Sequence, residues 1–268
     1  MSDLLYLYGL IPANEAKEEP LPSIKGFDGE GELFTIDVGD VTAIVCSIDS
    51  ETHSEEDLKD KIENDMEWLQ AKAFHHHETV LMVSKMYTIV PLKFCTLYKS
   101  EDSLKDTIEG NRNKLLSTFS KLKGNEEWNL KIFCDDKELR EEVSSSNPAI
   151  EEKRKEISEL PKGRQFFEKK KIDQLIDQEL ENEKNRICEE VHEKLKEKAI
   201  EGSVKKNWGK DVTGRKENMA WNSVFLIAED KVDQFTDEVN RYKEELGKSG
   251  WSFEASGPWP PYHFSSFS

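Results

Sequence analysis

The sequence predicts an α+β protein of two domains, the second ferredoxin-like and extended by a long helical arm. Three observations predict it. Over residues 125–257 the apolar pattern runs β, α, β, β, α, β, the order of a split βαβ sheet. The first helix of that set is far too long for its layer, because from Ala149 to about Ile200 the chain is nearly all Glu, Lys, Leu and Ile. Over residues 1–122 the pattern runs β, β, β, α, β, α, a related α+β layer, and the polar stretch Lys121–Asn125 parts the two. The expected domains are therefore 1–122 and 123–268, with the arm at about 149–200 and a proline-aromatic tail at 257–268.

The elements follow in order. Leu4–Leu10 is a short apolar and aromatic run, read as a strand. Residues 11–31 are rich in Pro, Gly and Glu and read as a loop. Glu32–Asp37 and Val41–Ile48 are β-type runs that predict a hairpin around Gly39. Ser54, with Asp57 three residues on, marks a helix start. Leu58, Ile62, Met66, Leu69, Ala73 and Val80 then give it one apolar face as far as about Val83, with room for a break. Met86–Leu97 is β-rich but cut by Pro91, so it is an edge strand or two short pieces. Ser103–Leu122 has helical spacing and ends at Gly124.

In the second half, Trp128–Cys134 alternates apolar and polar residues as a half-buried strand does. Ser144–Pro148 is a helix boundary, and Pro161-Lys-Gly163 breaks the arm. Beyond that break Ile172, Leu175, Ile176, Leu180, Ile187, Val191 and Leu195 form a narrow seam suited to coiled-coil packing. Gly202–Asp211 and Met219–Ala228 read as strands, Asp230–Leu246 as an amphipathic helix, and Trp251–Ala255 as the final strand.

The tail, Gly257-Pro-Trp-Pro-Pro-Tyr-His-Phe264, is stiff because its prolines fix φ and donate no N–H. Polyproline II geometry would project Trp259 and Tyr262 from one side. Such a segment either lies on its own protein or is offered to a partner. Following the last strand, it is expected to cap the second domain or the seam between domains, with Trp259 and Tyr262 as anchors.

Composition excludes several classes. Net charge is −17, with 23 acidic against 12 basic residues in 1–122 and 32 against 26 in 123–268. Neither half has the basic footprint of a nucleic-acid binder, and an acidic surface disfavours anionic membranes. No apolar run reaches the length of a membrane span, and the first residues lack a signal-peptide pattern. The four scattered cysteines argue against disulfides or structural zinc. A reduced, cytoplasmic protein is expected.

No motif for chemistry survives testing. His75-His76-His77 cannot converge on one metal from a helix, because adjacent side chains point about 100° apart. The expectation is one histidine on the core face and the others solvated. His77-Glu78 is followed by Leu81 where a zinc motif needs histidine, and Leu246-Gly-Lys-Ser249 lacks the first P-loop glycine. Gly26, Gly29 and Gly31 are out of register for a dinucleotide loop, and no nucleophile elbow occurs. The aromatic pattern of RNA-recognition sheets is also missing. No catalytic, cofactor-binding or metal residue is assigned, and an enzyme is not expected.

Taken together, these stretches resemble the gas vesicle protein F/L family nearly end to end. Leu5-Tyr-Leu-Tyr-Gly9 is similar to the family's opening strand, and His77-Glu78 with Thr88-Ile-Val-Pro-Leu-Lys-Phe94 to its histidine-bearing helix and following strand, with Lys93 where Arg is usual. Gly124-Asn-Glu-Glu-Trp128 resembles the lead-in to the family's second domain. Pro161-Lys-Gly-Arg164-Gln-Phe166-Phe167 resembles the turn that launches its long helix. Asn218 before the Phe225-Leu-Ile strand, and the closing octapeptide, complete the set.

The resemblance implies a modified ferredoxin-like N-terminal domain and a ferredoxin-like C-terminal domain with a helical coiled-coil arm. It implies a non-catalytic assembly factor or minor shell-associated component of gas vesicles. Its expected partners are the small hydrophobic shell protein and other accessory proteins, and its expected location is the cytoplasm, at the vesicle. Arg164, Phe166, Phe167, Trp259, Tyr262 and Phe264 are the expected interaction or structural positions, with Arg164 working locally at the helix start by bonding a carboxylate. The alternative from another class is a small-molecule-binding or enzymatic ferredoxin-like protein.

Overall fold

One strand order occurs twice in the computed structural model, which describes residues 4–29, 31–50 and 53–265. Residues up to Glu127, together with those from Pro258 on, form one compact unit, and Trp128–Gly257 form another.

The first unit runs β1 (Leu4–Pro12), α1 (Ala13–Glu18), β2 (Phe34–Val38), β3 (Val41–Ile48), α2 (Glu55–Asn64), α3 (Met66–Ser84), β4 (Val90–Pro91), β5 (Leu97–Tyr98), α4 (Glu101–Gly110) and α5 (Arg112–Leu122). Its sheet has the order β2-β3-β1-β4, with β5 also paired to β1. A two-residue turn at Gly39 (φ +63°) and Asp40 closes the β2–β3 hairpin, since Val38 pairs Val41.

Leu4, Tyr6, Tyr8 and Ile11 of β1 share a core cluster with Val80 and Val83 of α3. The change from even to odd positions follows a bulge between Leu7 and Gly9. Leu5, Leu7 and Leu10 are buried on the opposite face, where α5 packs on β1. Burial on both faces explains why β1 reads as an unbroken apolar run.

The second unit adds β6 (Asn125–Cys134), α6 (Asp136–Ser146), α7 (Pro148–Ser158), α8 (Lys162–Lys196), β7 (Glu201–Val204), α9 (Lys210–Thr213), β8 (Asn218–Ala228), α10 (Val232–Leu246) and β9 (Trp251–Trp259). Its sheet order, β7-β8-β6-β9, repeats that of the first. This is the ferredoxin-like order. In the first unit a short helix and a loop stand where the first ferredoxin helix would be. Leu130 and Ile132 of β6, Phe225 of β8, Phe253 of β9, Phe235 of α10 and Val191 of α8 meet in one core.

The arm is a helical hairpin. Asn147 caps α7, its side-chain oxygen accepting from Ala149 N–H at 2.9 Å, and Pro148 suits the first turn. Leu160 and Pro161 end α7 and launch α8, whose 35 residues span roughly 52 Å. Both α6 and α7 pack along α8.

The structure departs from the sequence reading in several places. Asp65 ends α2 and caps α3, accepting from Trp68 N–H at 3.0 Å. The phase resets there, so Met66 is exposed and His76, Thr79, Val80 and Val83 form the inner face. The 103–122 helix begins at Glu101 under a Ser100–Ser103 capping box and breaks at Asn111, which bonds back to the Thr107 carbonyl. Of the two readings offered for Met86–Leu97, the two short pieces hold, parted by a turn in which Cys95 has φ 61°. Strand character ends at Val204 because side-chain amides take over the ladder, Asn222 donating to Lys206 O and Asn207 to Ala220 O. The last strand continues through Pro258, which is tolerated because β9 lies at the sheet edge. Helix α1 lies inside the predicted loop.

Candidate interaction sites

The tail is anchored in the first unit. Helix α3 presents three consecutive histidines there, and they part ways. His76 is 3% exposed, with its Nδ1 2.7 Å from the Tyr6 hydroxyl and its Nε2 3.1 Å from the Leu92 carbonyl. A carbonyl only accepts, so Nε2 carries the proton and Tyr6 O–H donates to Nδ1. The Tyr6 oxygen in turn accepts from Cys95 N–H at 3.2 Å, which helps hold the left-handed turn. Burial, above all, pulls the His76 pKa down to about 4. His75 and His77 are half-buried, so one histidine does face the core, while the other two are less exposed than expected.

The tail meets this face. The Trp259 ring stands 5.7 Å from the His77 ring. Tyr262 leaves about a third of its surface in solvent but turns its hydroxyl inward, 3.4 Å from His76 Nε2. Burial pushes that hydroxyl up to about 12. Phe264 is buried beneath the Lys121 ammonium, 5.3 Å from its ring. His263 N–H donates to the buried Glu127 carboxylate at 2.9 Å.

Arg164, Phe166 and Phe167 lie elsewhere, in the first two turns of α8 in the second unit. Phe166 and Phe167 are 66% and 70% exposed, and their rings meet edge-on at 5.8 Å. The Arg164 backbone N–H bonds the Pro161 carbonyl at 2.8 Å, but its guanidinium forms no ion pair among the described residues. The expected carboxylate contact is absent there. The six candidate positions thus form two groups, one packed and one exposed.

A third cluster escaped sequence reasoning. Lys184 of α8 is buried, and its ammonium lies 2.7 Å from both Asp136 and Glu181. Asn218 donates to the other Asp136 oxygen. Burial alone would lower the lysine's pKa, but the two carboxylates outweigh it and the group stays cationic. Lys184 interrupts the Leu180–Ile187 seam, and that misplaced charge was the available signal.

The model of the family described as gas vesicle synthesis protein GvpL/GvpF matches residues 4–266. The chain belongs to the GvpL/GvpF family. Gas vesicle protein F1 of Halobacterium salinarum is 23% identical, over 98% of this chain and 93% of that one. Gas vesicle protein L of Haloferax mediterranei is 22% identical, over 91% and 73%. The crystal structure of the gas vesicle protein GvpF from Anabaena superposes with a TM-score of 0.74 at 22% identity, covering both chains fully. That likeness bears on the fold. Membership in GvpL/GvpF gives the protein a role in gas vesicle synthesis. Among the described residues no helix is long and apolar enough to cross a membrane.

Proposed function

We propose that this protein is a non-catalytic assembly factor, or minor shell-associated component, that binds the small hydrophobic shell protein and other accessory proteins in the cytoplasm. The observation that carries this reading is the pair of exposed phenylalanines at the start of an arm on an otherwise acidic molecule. A shell subunit with an apolar face aggregates before assembly. An acidic partner that offers apolar contact on an arm shields that face while its own charge opposes aggregation. The packed tail serves the fold, and Phe166 and Phe167 serve contact.

Co-expression of the full chain with the shell subunit, followed by cross-linking mass spectrometry, tests the reading. Cross-links from the arm to the shell subunit, with vesicles lost or shrunken on gene deletion, are the expected outcome. Normal vesicles without the gene, and no contact with any vesicle protein, would sink it.

A further inference from the structure

The ten residues Lys162–Lys171 carry five cations, Lys162, Arg164, Lys169, Lys170 and Lys171, against the single anion Glu168. The tip is therefore net +4 on a chain of net −17, and the remaining residues carry −21. Lys171 pairs with Glu168 at 2.7 Å, whereas Lys162, Arg164, Lys169 and Lys170 form no ion pair among the described residues. All five cations are exposed, and Phe166 and Phe167 stand among them. The arm also sets them apart from the core. The first fully buried residue of α8 is Ile176, fourteen residues or roughly 21 Å beyond Lys162.

We infer that the tip of the arm is a docking knob for an acidic protein segment that carries exposed apolar side chains. Electrostatic complementarity selects that occupant. The net-acidic chain repels an acidic partner on average, so an approaching segment is steered towards cationic stretches, and the arm tip, net +4, is one that also carries two exposed aromatic rings. Screening over about 8 Å at physiological salt leaves the tip's field separate from that of the body. Contact then buries the two rings, and removing that apolar surface from water supplies binding energy that the charges alone do not. An extended anionic membrane is less suited, because it meets the acidic body as well as the tip. The inference rests on the arm being an interaction element, as proposed above, and names the chemistry that it contacts.

The test uses the full-length protein and three probes: a fluorescent amphipathic helical peptide with leucines on one face and glutamates on the other, the same peptide with lysines in place of glutamates, and phosphatidylglycerol vesicles. The glutamate peptide should bind and the lysine peptide should not. Binding should weaken on the order of tenfold in F166A/F167A and in K169E/K170E, and rising salt should weaken what remains. The substituted side chains are solvent-exposed, so melting should be unchanged, and a circular dichroism melt checks this. Equal binding of the two peptides, wild-type affinity in both variants, or vesicle binding without peptide binding would each overturn the inference. If the peptide binds but the shell subunit cross-links nowhere, the vesicle partner is wrong and the tip stands. If the shell subunit cross-links to the arm and the peptide does not bind, the reverse holds.

Discussion

At His76 a single proton decides stability. In the folded chain Nε2–H donates to Leu92 O and Nδ1 accepts from Tyr6, so the neutral ring is fully used. Protonating Nδ1 would set it against the Tyr6 hydroxyl hydrogen. Unfolded, the imidazole titrates near its ordinary value of about 6.5. The unfolded chain therefore binds the extra proton first, and acid favours unfolding. The contribution is fully present above about pH 7 and is lost as pH falls from 6.5 towards the folded value of about 4. That loss is on the order of 3 kcal/mol. Denaturant titrations from pH 7.5 to 4.5 should show the slope in the wild type and a flatter profile in His76→Leu. Identical slopes would refute the assignment. Phe264 makes a second residue-scale case. Its removal as Phe264→Ala should cost roughly 3 kcal/mol, because a ring packed under Lys121 leaves a cavity.

Among the elements, α8 does two jobs along one length. Its C-terminal part is a core helix, and Lys184 joins it to α6 through Asp136. Removing Asp136 leaves that buried ammonium with Glu181 alone and the Asn218 amide without its acceptor, so Asp136→Ala should destabilise by roughly 2 kcal/mol, while Lys184→Met should cost less. Thermal melts of the two variants check the asymmetry, and equal losses would refute it. The cap of α7 is worth about 1 kcal/mol, and Asn147→Ala should lower stability by that amount. The tail behaves as a structural element. Ending the chain after Gly257 removes Trp259, Tyr262 and the buried Phe264 together, so the melting temperature should fall. Unchanged melting with vesicle formation lost would make the tail a partner-binding segment instead.

Across the whole molecule the sequence carried some things well and others not. The split βαβ order, the hairpin at Gly39 and the long helix after Pro161 were legible because periodicity and turn chemistry are local. A break in the helix running to Val83 was allowed for, but its place at Asp65 was not legible, because a capping aspartate inside an amphipathic run looks like a solvated position. Trp259 and Tyr262 were expected as anchors of a cap on the second domain or the seam between domains, but the tail groups with the first unit instead, because its contacts, His76, His77 and Lys121, are far away in sequence. Residue types marked Phe166, Phe167 and Phe264 alike as candidate positions, and only burial separated the exposed pair from the packed Phe264.

The grouping of Pro258 and later residues with the first unit bears on the order in which the protein is made. Along the chain the second unit is inserted in the first, as a passenger between its two pieces. A ribosome delivers Leu4–Glu127 early, yet the pieces that seal it, Trp259 to Phe264, emerge only after the second unit. The passenger can fold while its host stands open, with the His76 face uncovered. Completion of the host thus certifies that the second unit, arm included, has been synthesised.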